Sequence, residues 1–255
     1  GRKHHSTPPA TATTSTQKIE YGFMRRLCLH RADSSIPESP FPENDCGGPR
    51  RMAYCSVMNV SLLLAHPQPG SFNHAIAQAA REELAAAGHR VAFHDLCAER
   101  FEALLPPGES ARDARLPPAI AAHCAEIAAA DGIVIVHPNW WGQPPAILKG
   151  WVDRVIRPGV AYEFRAGDSG EGVPRGLLKA RAAVVFNTSN TAPERERAVF
   201  GDPLETLWRN CIFGLCGVTD FHRRTFGVVV VSTTEQRRAW LAEVRRTVAR
   251  VFAEN

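Results

Sequence analysis

Three short stretches hold the residue types that chemistry needs. They are His66-Pro67-Gln68-Pro69-Gly70-Ser71-Phe72-Asn73, His137-Pro138-Asn139-Trp140-Trp141-Gly142-Gln143-Pro144-Pro145 and Asn187-Thr188-Ser189-Asn190-Thr191. The first runs into a helix-like stretch, so it feeds a helix N-terminus, whose free N–H groups and positive dipole end favour an anion such as phosphate. Ser71 and Asn73 add side-chain donors, and His66 can pair with a phosphate when protonated. The alternative is that Ser71 only caps the helix and His66 is a polar loop residue. This loop has one glycine, so the G-x-G-x-x-G dinucleotide fingerprint is absent. The second stretch sets two tryptophans beside a glycine and three prolines. Such a loop loses little entropy on ordering and presents fixed amides to a flat heterocycle. Neighbours on an extended segment point opposite ways, so at least one of Trp140 and Trp141 is expected in the core, leaving the other as a wall. The third stretch offers donors and acceptors to the polar edge of a ring, or is an ordinary polar turn.

The elements that must position these stretches follow from the hydrophobic pattern. Met58–Ala65 is a short apolar run, suited to a strand buried on both faces. A helix is predicted over Ser71–Ala87, with Ser71 or Asn73 as N-cap and Gly88 as the stop. Further strands are predicted at Arg90–Asp95, Gly132–His137 and Ala182–Phe186, with a fifth inside Val218–Ser232, centred on Thr225–Val231. Further helices are predicted at Pro117–Ala130, Pro145–Val155, Asp202–Cys216 and Glu235–Ala253. Residues 97–116 read as an irregular connection with some freedom, and 158–178 as a long Gly-rich loop. Strict alternation of strand and helix gives a parallel sheet wrapped on both faces. Five strands fit the doubly wound order 2-1-3-4-5, whose ligand crevice lies at the carboxyl ends of strands 1, 3 and 4. All three chemical stretches fall there.

Residues 1–57 are rich in Ser, Thr, Pro, Arg and His, without a sustained apolar period. They read as a disordered tail, or as an extension upstream of a true start at Met52 or Met58. The acids at Glu20, Asp33, Glu38, Glu43 and Asp45 argue against a transit or secretory signal. The tail holds 8 Lys/Arg against 5 Asp/Glu and the remainder 22 against 21. The body therefore lacks the basic bias that nucleic acid or an anionic membrane requires. No apolar run reaches the about 18–20 residues of a membrane span. Seven scattered cysteines without a C-x-x-C pair suit a reducing cytoplasm better than a disulfide framework, and Cys211 and Cys216, four residues between them, match no zinc motif. Cys211 and Cys216 are expected in the core or at an interface. The arginine pairs Arg223-Arg224, Arg237-Arg238 and Arg245-Arg246 are expected on solvated faces.

The chain resembles the NAD(P)H:quinone oxidoreductase family with a flavodoxin-like fold. The matching pieces are Ala65-His66-Pro67 through Ser71-Phe72-Asn73-His74-Ala75, then Pro138 to Gly142, Pro144 to Val155, Gly159 to Tyr162 and the polar run at 187–190. Together they span Met58 to the closing helix, and the most specific is Pro145-Ala146-Ile147-Leu148-Lys149-Gly150-Trp151.

The resemblance implies a flavin, FMN or FAD, that relays hydride from NAD(P)H to a quinone or similar aromatic acceptor by a ping-pong scheme. It also implies a cytoplasmic homodimer with the site at the subunit boundary. His66, Ser71, Phe72 and Asn73 would meet the flavin phosphate or ribityl chain. Pro138, Asn139, Trp140, Trp141 and Gly142 would line the isoalloxazine, and Asn187, Thr188, Ser189 and Asn190 its pyrimidine edge. No side-chain catalyst is assigned, because the flavin carries the hydride. The vertebrate-like members have a Gly-Gly pair after strand 4, followed by a Tyr and a His. Here Ser189-Asn190 replaces the pair, Phe200 stands for the His, and Glu194 falls near the Tyr. The chain looks closer to bacterial members, some of which are ancillary subunits of potassium efflux systems. That allows a second role, as a flavin-binding regulatory subunit docking through 158–178, where Arg157, Glu163, Arg165, Asp168, Glu171 and Arg175 cluster. Arg195 and Arg197 are candidates for an NADPH 2′-phosphate.

Overall fold

The computed structural model describes residues 57–164, 172 and 174–253. Strands β1 (Asn59–Leu64), β2 (Arg90–Asp95), β3 (Gly132–Pro138), β6 (Ala182–Thr188) and β7 (Asp220–Phe226) form one sheet in the order β2-β1-β3-β6-β7. Every pairing in it is parallel. β4 (Tyr162–Glu163) and β5 (Arg175–Gly176) make a separate two-residue antiparallel ribbon. With the ribbon set aside the order is 2-1-3-4-5, the doubly wound arrangement of the flavodoxin-like fold.

Alternate residues of each strand enter opposite layers, because successive side chains point to opposite faces. Leu63, Ile133, Ile135, Ala183 and Val185 pack on one side with Ile120, Leu148, Trp151 and Trp208. These come from α2 (Pro118–Ala129), α3 (Ala146–Val155) and the wide π turns Thr206–Gly214 that continue α5 (Pro203–Glu205). Val60, Leu62, Leu64, Val134, Val184 and Phe186 pack on the other side with Ile76, Leu84, Val244 and Val248. These helices are α1 (Phe72–Ala86) and α6 (Thr234–Val251). α6 opens with a full capping box between Thr233 and Gln236.

The structure departs from the sequence reading in four places. The fifth strand is Asp220–Phe226, and Val229–Val231 form a 3₁₀ turn. Pairing with β6 ends at Thr188↔Phe226, so the valines lie beyond the sheet. Residues 97–116 are pinned: Arg154, 1% exposed, grips Glu109 through Nε at 2.9 Å and Nη2 at 2.5 Å. Gly150 permits this approach, since a Cβ there would lie 2.2 Å from the Ala103 carbonyl oxygen. Arg223 is half-buried rather than solvated, its side chain 8% exposed and held by Asp202, by Glu205 at 2.8 Å and by Asn187 at 3.0 Å. Cys216 is a core residue as expected, whereas Cys211 is exposed, and both are free thiols. Residues 1–56 and 165–171 lie outside the described residues, and with them the N-terminal tail and most of the proposed docking loop. Of that loop, Glu163 pairs with Arg175 across the ribbon. Arg157 is buried with its guanidinium on the Ala111 carbonyl. Among the described residues no helix is long and apolar enough to cross a membrane.

Candidate functional site

The carboxyl ends of β1, β3 and β6 converge because Leu64 pairs with Val136 and Pro138 with Thr188 in the parallel register. A cavity of about 650 Å³ opens there, within the range of small-molecule sites. His66, Ser71, Phe72 and Asn73 line it from the first loop, Pro138, Asn139, Trp140, Trp141 and Gly142 from the second, and Thr188, Ser189 and Asn190 from the third.

The first loop ends at the N-terminus of α1. The first turn holds no acidic residue, and Ser71 makes no side-chain cap bond. The N–H groups of Phe72, Asn73 and His74 therefore lack helical partners and keep their anion-binding capacity. Ser71 Oγ lies 2.8 Å from His74 Nδ1, and His74 Nε2 lies 3.1 Å from Asp95 Oδ2. Asp95 is itself fixed by the N–H groups of Cys97 and Ala98, both 3.1 Å from its Oδ1. The hydroxyl is thus held by a His–Asp pair rather than spent on the helix. Asn73 is buried and donates to Thr188 Oγ1 at 2.9 Å, tying α1 to the end of β6. His66 differs from the expected phosphate partner. Burial, reinforced by His74, holds its proton affinity below the ordinary histidine value. The Gln68 N–H donates to Nδ1 at 3.1 Å, with the Gln68 carbonyl further away at 3.3 Å. The lowered proton affinity disfavours the imidazolium that a phosphate would pair with.

The second loop is a tight turn. Trp140 and Gln143 exchange both backbone bonds, at 3.0 and 2.9 Å. Trp141 and Gly142 between them take φ of 57° and 71°, the mirror-image turn that demands positive φ at both central positions. Asn139 Oδ1 braces it by accepting from the Gly142 N–H at 3.0 Å. A Cβ on Gly142 would lie 2.6 Å from Pro203 Cγ, so glycine is needed twice over. The turn carries both indoles off the sheet edge. Neither is in the core, contrary to the alternation argument: Trp140 is 43% exposed and Trp141 fully so. Alternation holds for extended backbone, and this backbone reverses.

In the third loop, Ser189 Oγ accepts from the Thr191 N–H at 3.0 Å and Asn190 Oδ1 from the Val230 N–H at 3.0 Å. Asn187 does not reach the cavity. It stands behind it, donating to His137 Nε2 at 2.8 Å and accepting from Arg223 at 3.0 Å.

Sequence reasoning missed Glu196, Pro203, Val229 and Val230 as lining residues, while Thr191, the last of the third stretch, does line the cavity. The valine run looked like strand, and nothing marks Pro203 or Glu196 in sequence. Phe200, which the resemblance set at the position of a family histidine, does line the cavity. Glu194 does not: it is exposed and pairs with Arg197 at 3.7 Å. Arg195 lies over the Phe200 ring at 5.9 Å, and neither arginine lines the cavity.

A second polar cluster lies around α2. His94 Nε2 meets Glu126 at 2.7 Å, His94 Nδ1 meets Glu99 at 3.0 Å, and Ser61 donates to Glu126 at 2.6 Å. The hydrogen bond to Glu126 raises the proton affinity of His94 above the ordinary value, against burial. Ligand atoms of His94, Glu99 and His123 lie within 4.8 Å of one another. The Trp151 indole N–H points at His123 Nδ1 from 3.4 Å, which leaves the proton on Nε2, the atom a metal would need. The cluster reads as a hydrogen-bonded brace.

A family model described as flavodoxin-like fold matches residues 58–248. An uncharacterized NAD(P)H oxidoreductase of Haemophilus influenzae is 33% identical over 189 residues, covering 72% of this chain and 91% of that protein. A ribosyldihydronicotinamide dehydrogenase [quinone] of Rattus norvegicus is 33% identical over 207 residues, covering 72% and 87%. The solved NAD(P)H:quinone oxidoreductase from Methanothermobacter marburgensis superposes with a TM-score of 0.68 at 26% identity, over 78% of this chain and all of that one.

Proposed function

Because the chain belongs to the family with the flavodoxin-like fold, and its relatives bear the names of NAD(P)H oxidoreductases and quinone dehydrogenases, we propose that it is a flavin-dependent NAD(P)H:quinone oxidoreductase. The observation that carries this reading is the convergence of an acid-free helix N-terminus, an indole-bearing turn and a polar strand end on one cavity. Those three surfaces match the phosphate, the ring face and the pyrimidine edge of a flavin.

The bound flavin would supply the hydride relay, taking hydride from NAD(P)H and passing it to an acceptor after the nicotinamide has left. The chain's own residues supply position. The N–H groups of Phe72, Asn73 and His74, with Ser71, hold the phosphate. The Asn139–Gly142 turn sets the ring plane with its backbone and the Trp140 indole. Ser189 and Asn190 face the polar edge, and Asn73 and Thr188 fix the spacing between the two ends. Val229, Val230 and Phe200 give the cavity an apolar rim beside the ring. Holding two reactants at contact is worth about 7–11 kcal/mol of the barrier, so geometry suffices without an acid or nucleophile. Flat acceptors such as quinones fit this wall. Trp141, fully exposed at the rim, suits burial by a second copy of the chain, and we include a homodimer in the reading. The free thiols suit a cytoplasmic setting.

The test is purification followed by incubation with FMN or FAD, then NADPH-dependent menadione reduction. A yellow protein with parallel-line initial-rate kinetics is expected. A chain that takes up neither flavin overturns the reading.

A further inference from the structure

Glu196 opens the π turn Glu196–Phe200 that follows α4 (Pro193–Arg195). Its sequence neighbours Glu194, Arg195 and Arg197 are exposed, yet Glu196 is 7% exposed and lines the cavity. Its carboxylate has no hydrogen-bond or ion-pair partner among the described residues. The adjacent cations are committed elsewhere, Arg197 on Glu194 and Arg195 over Phe200. Phe200, Trp140, Val229 and Val230 give the same cavity apolar surface. A glutamate is almost never this buried unless paired, yet no sealed side-chain oxygen among the described residues lacks a partner, so the Glu196 carboxylate oxygens still reach water. Glu196 lines the cavity, so a polar or cationic group that enters can replace that water as its partner.

The geometry points to Glu196 as a specificity residue: it selects a docked ring that carries an N–H donor or a positive charge, and rejects one that carries a carboxylate or sulfonate. This rests on the reading of the cavity as a hydride-transfer site. The chemistry is shared by two sources, the carboxamide-bearing pyridine or pyridinium of the nicotinamide donor, and an amino-substituted aromatic acceptor. Like charges brought together in a desolvated site discriminate by about tenfold or more.

The experiment uses the flavin-loaded full chain and three probes of one ring size: 1-methylnicotinamide (cation with donor), nicotinamide (neutral with donor) and nicotinate (anion). Equilibrium binding is read from quenching of tryptophan fluorescence and from the flavin visible band. In the wild type nicotinate should bind about tenfold more weakly than nicotinamide, with 1-methylnicotinamide the tightest. Glu196→Gln, which is isosteric, should compress the series to within about threefold, while Glu196→Asp, which keeps the charge, should retain the order. Steady-state arms separate the sources. A raised KM for NADPH in Glu196→Gln assigns the contact to the donor, and a lowered KM for a naphthoquinone sulfonate alone assigns it to the acceptor. Flavin loading is verified first. A chain that binds no flavin overturns the proposed function and this inference with it. A loaded chain in which Glu196→Gln keeps the wild-type order overturns the inference alone.

Discussion

The indole N–H of Trp208 donates to Nε2 of His137 at 3.0 Å. The Asn187 amide donates to the same nitrogen at 2.8 Å. Nδ1 meets the Pro138 carbonyl at 2.8 Å, so the ring must carry its proton there. One imidazole thus joins the end of β3, the end of β6 and the helical segment beneath the cavity. Arg223, clamped by Asp202 and Glu205, completes the set through Asn187. The second and third loops leave the sheet directly above this group.

Burial pushes His137 down to about 4, with the Arg223 charge adding and the Pro138 bond opposing. The unfolded chain takes up this proton near the ordinary value of 6.5, the folded chain only near 4. Stability from the neutral ring is therefore complete above about pH 6.5 and is lost as pH falls toward 4, by about 1.4 kcal/mol per pH unit. In His137→Gln the carbonyl can still accept but nothing titrates. Urea unfolding across that window should show a shallower slope, by about one proton, in the variant. Identical slopes would show that His137 is not the titrating group.

Gly142→Ala forces a Cβ against Pro203 in a left-handed backbone, which alone disfavours an L-residue by about 1–2 kcal/mol. The turn must shift, and the surface offered to the flavin ring with it. A loss of flavin affinity of tenfold or more is expected, with the melting temperature lowered by about 2–8 °C. Equilibrium dialysis against FMN checks it, and unchanged affinity refutes the placement of the turn against the ring.

Asn73 and Thr188 exchange two buried hydrogen bonds, at 2.9 and 3.3 Å. Asn73→Ala leaves the Thr188 hydroxyl unmet and should destabilise the fold by about 1–3 kcal/mol. Thr188→Val should cost similarly, and the double variant less than the sum. A strictly additive cycle would mean that the two side chains do not couple α1 to β6.

Arg154→Met leaves Glu109 buried without its cation, and a loss of about 3–5 kcal/mol is expected. Pairing it with Glu109→Leu should recover most of that loss. Limited proteolysis within 101–111 should accelerate in the single variant and slow again in the double one. Equal cleavage in all three would show that the loop is held by something else.

The predicted elements at β1, β2, β3, α1 and α3 match the structure closely, since apolar period and helix-stop chemistry are local properties. Val228–Val231 misled because a β-branched run reads alike whether it pairs or merely lines a cavity. The paired tryptophans misled because no local rule foretells a bulky residue at φ 57°; the turn exists through Asn139 and its seat on Pro203, which lies far along the chain. Arg223 looked solvated because its partners Asp202, Glu205 and Asn187 are brought to it only by packing.

By itself, then, the sequence determined the doubly wound sheet and which loops end at its crevice, because alternating strand and helix patterns admit few chiral topologies. Those loops already held thirteen of the residues that line the cavity. The tertiary structure decided what each can do there. It withdrew Asn187 to a buried network, lowered the proton affinity of His66 and swung both indoles to the surface. It also turned Glu196 inward while its neighbours faced water. Each of these is set by contacts between residues distant in sequence, where burial and hydrogen-bond partners, rather than residue type, choose the role.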